Sequence, residues 1–328
     1  MLYYIIRRFI YMVIILLAVS VVAFIIIQLP PGDYLASYIM SLEAAGEEVS
    51  EAEVASLRRQ YGLDLPIYFQ YFKWMSRALR GDFGMSFYWN MPVSKLLAER
   101  VPLTVVISLF TLVFTYMVAI PIGIYSATHQ YSVGDYTFTT IGFVGLATPN
   151  FLLALILMFF FYKYFGLSVG GLFSPQYEEA AWSIDKLVDL LKHLPIPIVV
   201  IGTAGTAGLV RVMRGCLLDE LQKQYVITAR AKGVHEKKLL FKYPVRVAVN
   251  PIISKIGWEL PEIFSGATIT AIVLNLPTTG PLLFRGLLSQ DMYLTGGIIM
   301  ILTSLTVLGT LLSDIFLVFL DPRIRYER

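Results

Sequence analysis

Uncharged apolar stretches of about twenty residues recur along the chain, and they limit its fold more than any other feature. The first covers residues 9–29 and contains no charged side chain. As an α-helix, a run of this length crosses the hydrocarbon core of a bilayer. Because 57% of all residues are hydrophobic and only 15% are charged, the chain has more apolar surface than a soluble core can cover. The sequence therefore predicts an all-α integral membrane protein.

Six transmembrane helices are predicted. They cover residues 9–29, 103–125, 138–165, 194–212, 251–276 and 296–320. The third contains Pro149, and the fifth is interrupted by the run Glu259-Leu260-Pro261-Glu262. Such breaks are tolerated in membrane helices where neighbouring groups satisfy the freed carbonyls. In the fourth, Gly202, Gly205 and Gly208 recur at steps of three residues, a spacing that allows helices to pack closely in lipid.

The basic residues predict how the spans are oriented. Arg7 and Arg8 precede the first span, whose apolar run is longer than the roughly 7–15 residues of a signal-peptide core, so it is interpreted as a membrane helix. The loop between the fourth and fifth spans contains few acidic residues and many basic ones: Arg211, Arg214, Lys223, Arg230, Lys232, Lys237, Lys238, Lys242 and Arg246. By the positive-inside rule, this loop and both chain termini are cytoplasmic.

Residues 30–100 form a more polar segment, predicted to be extracytoplasmic or interfacial and helical. Ser50 and Glu53 make a capping box for one helix. A second helix over residues 67–79 places Tyr68, Phe69 and Phe72 on one face, which is typical of a helix lying in the membrane interface or packed on its own domain. The predicted organisation is residues 1–29, residues 30–100, and a core domain of residues 101–328 that includes the loop at 214–246.

Motifs for covalent chemistry are absent from the sequence. It has no phosphate-binding loop and no H-E-x-x-H zinc motif, and Cys216 is the single cysteine. The run from Gly166 to Gly170 matches G-x-S-x-G, but it follows a predicted membrane helix and not the strand that a nucleophile elbow requires. The chain is therefore predicted not to be an enzyme, and any ATP hydrolysis must be carried out by another protein.

The polar, basic stretch over residues 217–246 lies between two apolar spans. One helical pattern runs over Leu217, Leu221, Tyr225 and Ala229, and a second begins after Val234. Gly233 separates them and suits a bend, because glycine adopts positive φ without steric cost. The run Thr228-Ala229-Arg230-Ala231 before it consists mostly of small residues. A partner protein could therefore approach this backbone closely.

The same stretch resembles the cytoplasmic EAA loop of binding-protein-dependent ABC importer permeases, in the form found in the dipeptide, oligopeptide and nickel subfamily. The residues that match are Tyr225, Val226, Thr228, Ala229, Arg230, Ala231, Lys232 and Gly233. The proline after the loop, Pro244, falls two places earlier than the family pattern places it. Further blocks that resemble the subfamily, in the same order, are residues 29–33, 61–66, 80–86, 92–94 and 320–325.

This resemblance implies a type I importer permease with six transmembrane helices in the prokaryotic plasma membrane. Its implied partners are a second homologous permease subunit, two ATPase subunits that bind ATP and Mg²⁺, and an extracytoplasmic solute-binding protein. The cargo implied is oligopeptides, with oligosaccharides or nickel as alternatives. The loop would couple the permease to the ATPase through Thr228, Ala229, Arg230, Ala231, Lys232, Gly233, Val234, His235 and Glu236. Alternatively, Arg230 and Lys232 would only contact phospholipid headgroups.

Ionisable residues within predicted spans are candidates for the translocation path, because a charge at the bilayer centre is costly. Glu259 and Glu262 are such residues, and Pro149 and Asn150 mark a possible bend along the path. Asp314 is close enough to the cytoplasmic end of the sixth span to pair with an arginine.

Two rival functions stay open. One is a self-contained ion-coupled carrier or channel, and the other is a membrane-embedded hydrolase that uses Ser168 with His193 as its base.

Overall fold

The computed structural model describes residues 2–28, 55–56, 65–86, 88–166, 169–256, 259 and 267–320. These residues are mostly helical, which confirms the predicted all-α class. The first helices are α1 (Leu2–Gln28), α2 (Ile67–Ala78), α3 (Val93–Thr128), α4 (Val133–Ala147), α5 (Asn150–Phe165), α6 (Ile184–His193) and α7 (Pro195–Leu221). They are followed by α8 (Gln224–Ala231), α9 (Glu236–Lys242), α10 (Pro244–Ala248), α11 (Asn250–Ser254), α12 (Thr268–Val273), α13 (Thr279–Leu288) and α14 (Met292–Leu320). A short antiparallel hairpin pairs β1 (Met85–Ser86) with β2 (Met91–Pro92).

Among the described residues, four helices are long and apolar enough to cross a membrane. They are Ile6–Ile26, Val93–Thr128, Pro195–Leu221 and Met292–Ile315. They correspond to the predicted first, second, fourth and sixth spans, and the second and fourth are longer than predicted. In particular, α3 runs unbroken through the predicted boundary at residues 100 and 101. The bent pair α4 and α5 would provide a fifth span if the two helices together cross the membrane.

The predicted third span is not one straight helix. The chain bends by 105° between α4 and α5, at Thr148 and Pro149. Pro149 has extended backbone angles (φ −57°, ψ 135°) and no N–H group to continue the helix. The residue before a proline is also driven away from helical geometry, and Thr148 has φ −87° and ψ 119°. The bend predicted at Pro149 is therefore confirmed, and a single span over residues 138–165 stays a prediction.

The predicted fifth span, residues 251–276, is not a single continuous helix in the described part of the chain. Pro251 lies in the first turn of the five-residue helix α11, which ends at Ser254. Lys255 is a turn residue, Ile256 and Glu259 are again helical, and α12 covers Thr268–Val273. The interrupting Leu260, Pro261 and Glu262 lie outside the described residues, as do Ser50 and Glu53 of the predicted capping box. Of the helix predicted to start there, Ala55 and Ser56 are described and are helical. The count of six spans stays a prediction.

Helix α7 lies at the centre of the fold and packs against α3, α4 and α5. Its glycines allow part of this packing. A Cβ atom added to Gly202 would lie 2.9 Å from Cδ1 of Phe114 and 3.1 Å from Oγ1 of Thr115, both on α3. Gly208 has open space at the corresponding position. The glycine spacing therefore allows close helix packing at Gly202 but not at Gly208.

Helices α1, α2 and α14 pack together at the edge of the core. Arg8 on α1 pairs with Asp314 on α14, with 2.9 Å between Nη1 and Oδ2, so Asp314 has the arginine partner that its position predicted. Helix α2 packs on α1 through the rings of Tyr71 and Trp74, which contact Phe24. The other side of α2 is exposed and aromatic. One face of α2 thus packs on the first membrane helix, whereas the predicted aromatic face with Tyr68, Phe69 and Phe72 is exposed.

Candidate functional site

Two short helices, α8 and α9, form the polar loop that follows α7. The expected helical pattern from Leu217 to Ala229 is interrupted, because α7 ends at Leu221 and α8 begins at Gln224. Lys223 has extended backbone angles (φ −70°, ψ 145°) and makes this break. The hydroxyl of Tyr225 donates a hydrogen bond across the break to Oε2 of Glu220. Burial, together with this hydrogen bond, raises the pKa of Tyr225 above its ordinary value and keeps the donor protonated.

Gly233 makes the turn between α8 and α9 with a φ of +74°, which confirms the predicted role of a glycine here. Its N–H donates to the carbonyl of Arg230 at 3.0 Å, and the N–H of Val234 donates to the carbonyl of Ala229 at 3.3 Å. These two bonds form a Schellman motif, which satisfies the last carbonyls of α8. The turn therefore has a defined geometry set by local backbone bonds.

One side of the loop is anchored, and the other side faces outward. Val226 of α8 and Leu239 of α9 are fully buried. Beneath the loop, Met213, Leu217 and Ile252 belong to one buried cluster with residues of α3 and α10. The outward side consists of exposed residues: Thr228, Arg230, Ala231, Lys232, Gly233, His235 and Glu236. Ala229 and Val234 are half-buried. The predicted loop residues are thus brought together on one projecting surface.

Arg230 and Glu236 pair with each other across the turn at Gly233. Arg230 Nε lies 2.6 Å from Oε1 of Glu236, and Nη2 lies 3.2 Å from Oε2. Both side chains are exposed. The hydrogen bond from Arg230 lowers the pKa of Glu236, and the same bond raises the pKa of Arg230. The two hydrogen bonds of the pair hold α8 and α9 together across the turn. The small residues between the two helices stay accessible.

Below the loop, an ion pair between the buried Asp135 and the half-buried Arg214 joins α4 to α7. Arg214 donates from Nε and Nη2 to the two carboxylate oxygens of Asp135, at 3.0 and 2.9 Å. The carboxylate also accepts from the backbone N–H of Tyr131 at 3.0 Å, and Ser132 caps α4 by accepting from the N–H of Asp135. Sequence reasoning missed this pair. The sequence did indicate one local feature of this site, because Ser132 and Asp135 have the spacing of a capping box.

The residues predicted for the translocation path lie in different surroundings. Pro149 and Asn150 form the corner where α5 begins. Glu259 lies beside α7, since a Cβ added to Gly205 would be 3.2 Å from its Oε2 atom. Glu262 lies outside the described residues, as does Ser168, the nucleophile of the hydrolase alternative. His193 of that alternative has its Nδ1 atom 2.8 Å from the carbonyl oxygen of Asp189.

Comparison with known proteins gives consistent matches over nearly the whole chain. The family model described as "Binding-protein-dependent transport system inner membrane component" matches residues 119–326, which include the loop. The corresponding N-terminal model, "Binding-prot-dependent transport system membrane comp, N-term", matches residues 1–109.

Individual relatives align over almost their full length. "Oligopeptide transport system permease protein AppB" of Bacillus subtilis is 35% identical over 98% of this chain and 99% of its own. "Oligopeptide transport system permease protein OppB" of Haemophilus influenzae is 29% identical over 93% of both chains. "Dipeptide transport system permease protein DppB" of Alkalihalophilus pseudofirmus is 27% identical over 99% of this chain and 100% of its own.

Proposed function

The chain belongs to the family of binding-protein-dependent transport system inner membrane components, and on that basis we propose that it is the pore-forming subunit of an ATP-driven peptide importer. It is a multi-pass membrane protein and a transport permease. In the proposed complex, it resides in a bacterial inner membrane with the α8–α9 loop on the cytoplasmic side. That orientation is supported by the basic residues of the loop and the positive-inside rule.

The observation that carries the proposal is the geometry of the projecting loop. It presents the exposed Ala231 and Gly233 beside a turn that is fixed by backbone bonds and by the Arg230–Glu236 pair. Because these two residues have little or no side chain, a groove on a partner can approach the backbone closely. We propose that this surface, residues 228–236, fits a groove in an ATPase subunit and passes its movement to α7 and α10.

The partners follow from what the chain itself lacks. Its sequence has no phosphate-binding loop, so in the proposed ATP-driven importer separate ATPase subunits would bind ATP and Mg²⁺. A second homologous permease would complete the pore, and a solute-binding protein would deliver the cargo. ATP can drive the switch between inward-facing and outward-facing states only if the ATPase subunits bind it more tightly in one of them.

Peptides are the cargo that the comparisons favour. The relatives at 35%, 29% and 27% identity carry names that specify oligopeptide or dipeptide transport. The aromatic side chains before α3, which would also suit sugar stacking, include the exposed Tyr88 and the partly buried Trp89. Peptides are therefore proposed in preference to oligosaccharides or nickel.

The test is the ATPase activity of the complete complex in lipid, with and without the solute-binding protein and a peptide mixture. Ala231→Trp adds a large side chain to the exposed loop, and the stronger variant combines Gly233→Trp with Ala229→Glu. Ala181→Trp is the matched control, since Ala181 is an exposed alanine before α6. We expect the loop variants to lose stimulation by the binding protein or to lose the ATPase subunits, while the control behaves as wild type.

Two results would contradict the proposal. One is unchanged stimulation in both loop variants. The other is a wild-type chain that purifies without an ATPase and moves solute by itself, which would favour the carrier or channel alternative. Uptake of labelled peptide, oligosaccharide and nickel by the same reconstituted complex separates the cargo question from the coupling question.

A further inference from the structure

Helix α6, Ile184–His193, exposes four of its five apolar side chains. Ile184 is 82% exposed, and Leu187, Val188 and Leu191 are 48%, 44% and 49% exposed. Their spacing of three, four and seven residues places them on one face of the helix. We call these four residues the aliphatic stripe. A stripe of this kind normally faces a protein core, and here it faces outward.

The charged side chains on the opposite side of α6 are buried and fully engaged. Lys186 is 6% exposed and donates from Nζ to the carbonyl oxygens of Ala180 and Glu178, at 2.6 and 3.3 Å. Its Nζ atom also lies 4.9 Å from the ring centroid of Phe173. Because buried charges are costly unless they are paired, this arrangement is the reverse of the one that water would favour.

Asp189 shows the same inversion. It is 8% exposed and accepts hydrogen bonds from the backbone N–H and the hydroxyl of Ser174, both at 2.7 Å. The outward face of α6 thus carries no charge. Asp185 and Lys192, which are exposed and seven residues apart, occupy a lateral face beside the aliphatic stripe.

The position of α6 limits what can cover the stripe. Only Leu194 separates α6 from α7, which is long and apolar enough to cross a membrane. Leu190 of α6 belongs to the same buried cluster as Val200 and Ile201 of α7, so α6 is fixed to the end of this span. Ten residues of helix measure about 15 Å, which keeps the whole of α6 near the membrane boundary. Trp182, just before the helix, is exposed, and tryptophan is enriched at membrane interfaces.

From this geometry we infer that α6 lies in the membrane–water interface, with its aliphatic stripe among lipid acyl chains. The three faces of the helix then have three environments. The stripe meets lipid, Lys186 and Asp189 meet the protein, and the lateral face with Asp185 and Lys192 meets water. The inference depends on the membrane insertion of the chain and not on the proposed cargo or on coupling to an ATPase.

The test uses spin labels on the complete complex in lipid nanodiscs. With Cys216→Ser as background, a single cysteine is introduced at Val188 in the stripe or at Lys192 on the lateral face, as the matched control. Collision rates of each label with oxygen, which concentrates in lipid, and with a water-soluble nickel chelate are then measured. We expect the label at Val188 to show a ratio of oxygen to nickel accessibility several-fold higher than the label at Lys192.

Two outcomes would overturn the inference. If the labels at Val188 and Lys192 are equally accessible to the nickel chelate, the stripe faces water. If the label at Val188 is immobile and inaccessible to both reagents, another protein chain covers it. Leu191→Cys gives the same readout one turn further along, should Val188→Cys fail to assemble.

Discussion

Arg214 and Asp135 form a two-pronged ion pair, with hydrogen bonds of 3.0 and 2.9 Å between residues 79 positions apart. The pair is inside the fold, whereas Arg230 and Glu236 form a similar pair on the surface of the loop. Because the same chemistry occurs in two environments, the contributions of the two pairs to stability are expected to differ. The chain thus contains its own control for the effect of burial on an ion pair.

We first predict that Asp135→Asn destabilises the protein by about 2 kcal/mol, because it weakens the charge-assisted hydrogen bonds of the half-buried Arg214. Arg214→Gln is expected to have a similar effect, and the double variant less than the sum, since both remove one interaction. Thermal unfolding in detergent measures this. Arg230→Gln, the exposed control, is expected to leave the unfolding midpoint unchanged. Additive losses in the double variant would show that the two residues act separately.

Our second prediction is that the Arg230–Glu236 pair affects coupling and not stability. Glu236→Arg places like charges across the turn and is expected to reduce stimulation of ATPase activity by the solute-binding protein in the complete complex. Combining it with Arg230→Glu restores an opposite pair, and we expect activity to recover in part. If the double reversal is no better than either single change, then each side chain contacts the partner directly, and the prediction is wrong.

A third prediction compares two glycines. An added Cβ would meet nothing within 4 Å at either Gly233 or Gly215, but only Gly233 has positive φ. Gly233→Ala is therefore expected to cost about 1 kcal/mol locally through backbone strain and to weaken ATPase association. Gly215→Ala, within α7, is expected to stabilise the helix by about 0.5–1 kcal/mol. Titration of the purified ATPase subunits onto each variant measures the difference. Equal affinities would rule out a role for the turn geometry.

The fourth prediction concerns the contact of α7 with α3. Gly202→Ala would bring a Cβ to 2.9 Å from Cδ1 of Phe114, so we expect a loss of about 1–3 kcal/mol from overpacking. Gly208→Ala meets open space and is the control on the same helix. Unfolding midpoints of the two variants in detergent should separate clearly. A similar midpoint for both would mean that the two helices can shift apart without cost.

Our fifth prediction is a pH dependence at Asp189. Burial raises the pKa of this carboxyl, but the hydrogen bonds from Ser174 outweigh it, so the pKa is lower in the folded protein. A lowered folded pKa means that the stabilisation is complete above the unfolded pKa, about 3.9, and is lost as pH falls through the folded value. We therefore expect wild type to lose stability below about pH 4 more steeply than Asp189→Asn.

The measurement for this fifth prediction is the unfolding midpoint as a function of pH in detergent. Asp185→Asn, on the exposed lateral face of the same helix, is the matched control and should retain the wild-type slope. If Asp189→Asn also keeps that slope, Asp189 does not account for the loss of stability in acid.

The features that the sequence determined by itself are those set by neighbouring residues. The length of an apolar run fixes whether a helix can cross a bilayer, so α1, α3, α7 and α14 were all anticipated. The turn at Gly233 was also predictable, because positive φ is a property of one residue and its Schellman bonds reach only a few positions.

Only the tertiary structure decided which distant groups meet and which side of each helix is covered. The Arg214–Asp135 pair joins two helices, and nothing within either helix specifies its partner. The bend at Pro149 was predictable, but only the structure gave its angle of 105° and showed that α4 and α5 both pack against α7. Which face of α6 is buried was likewise settled by the structure, through the partners of Lys186 and Asp189. Hydropathy and backbone preference are local properties, whereas burial and charge pairing arise from contacts across the whole fold.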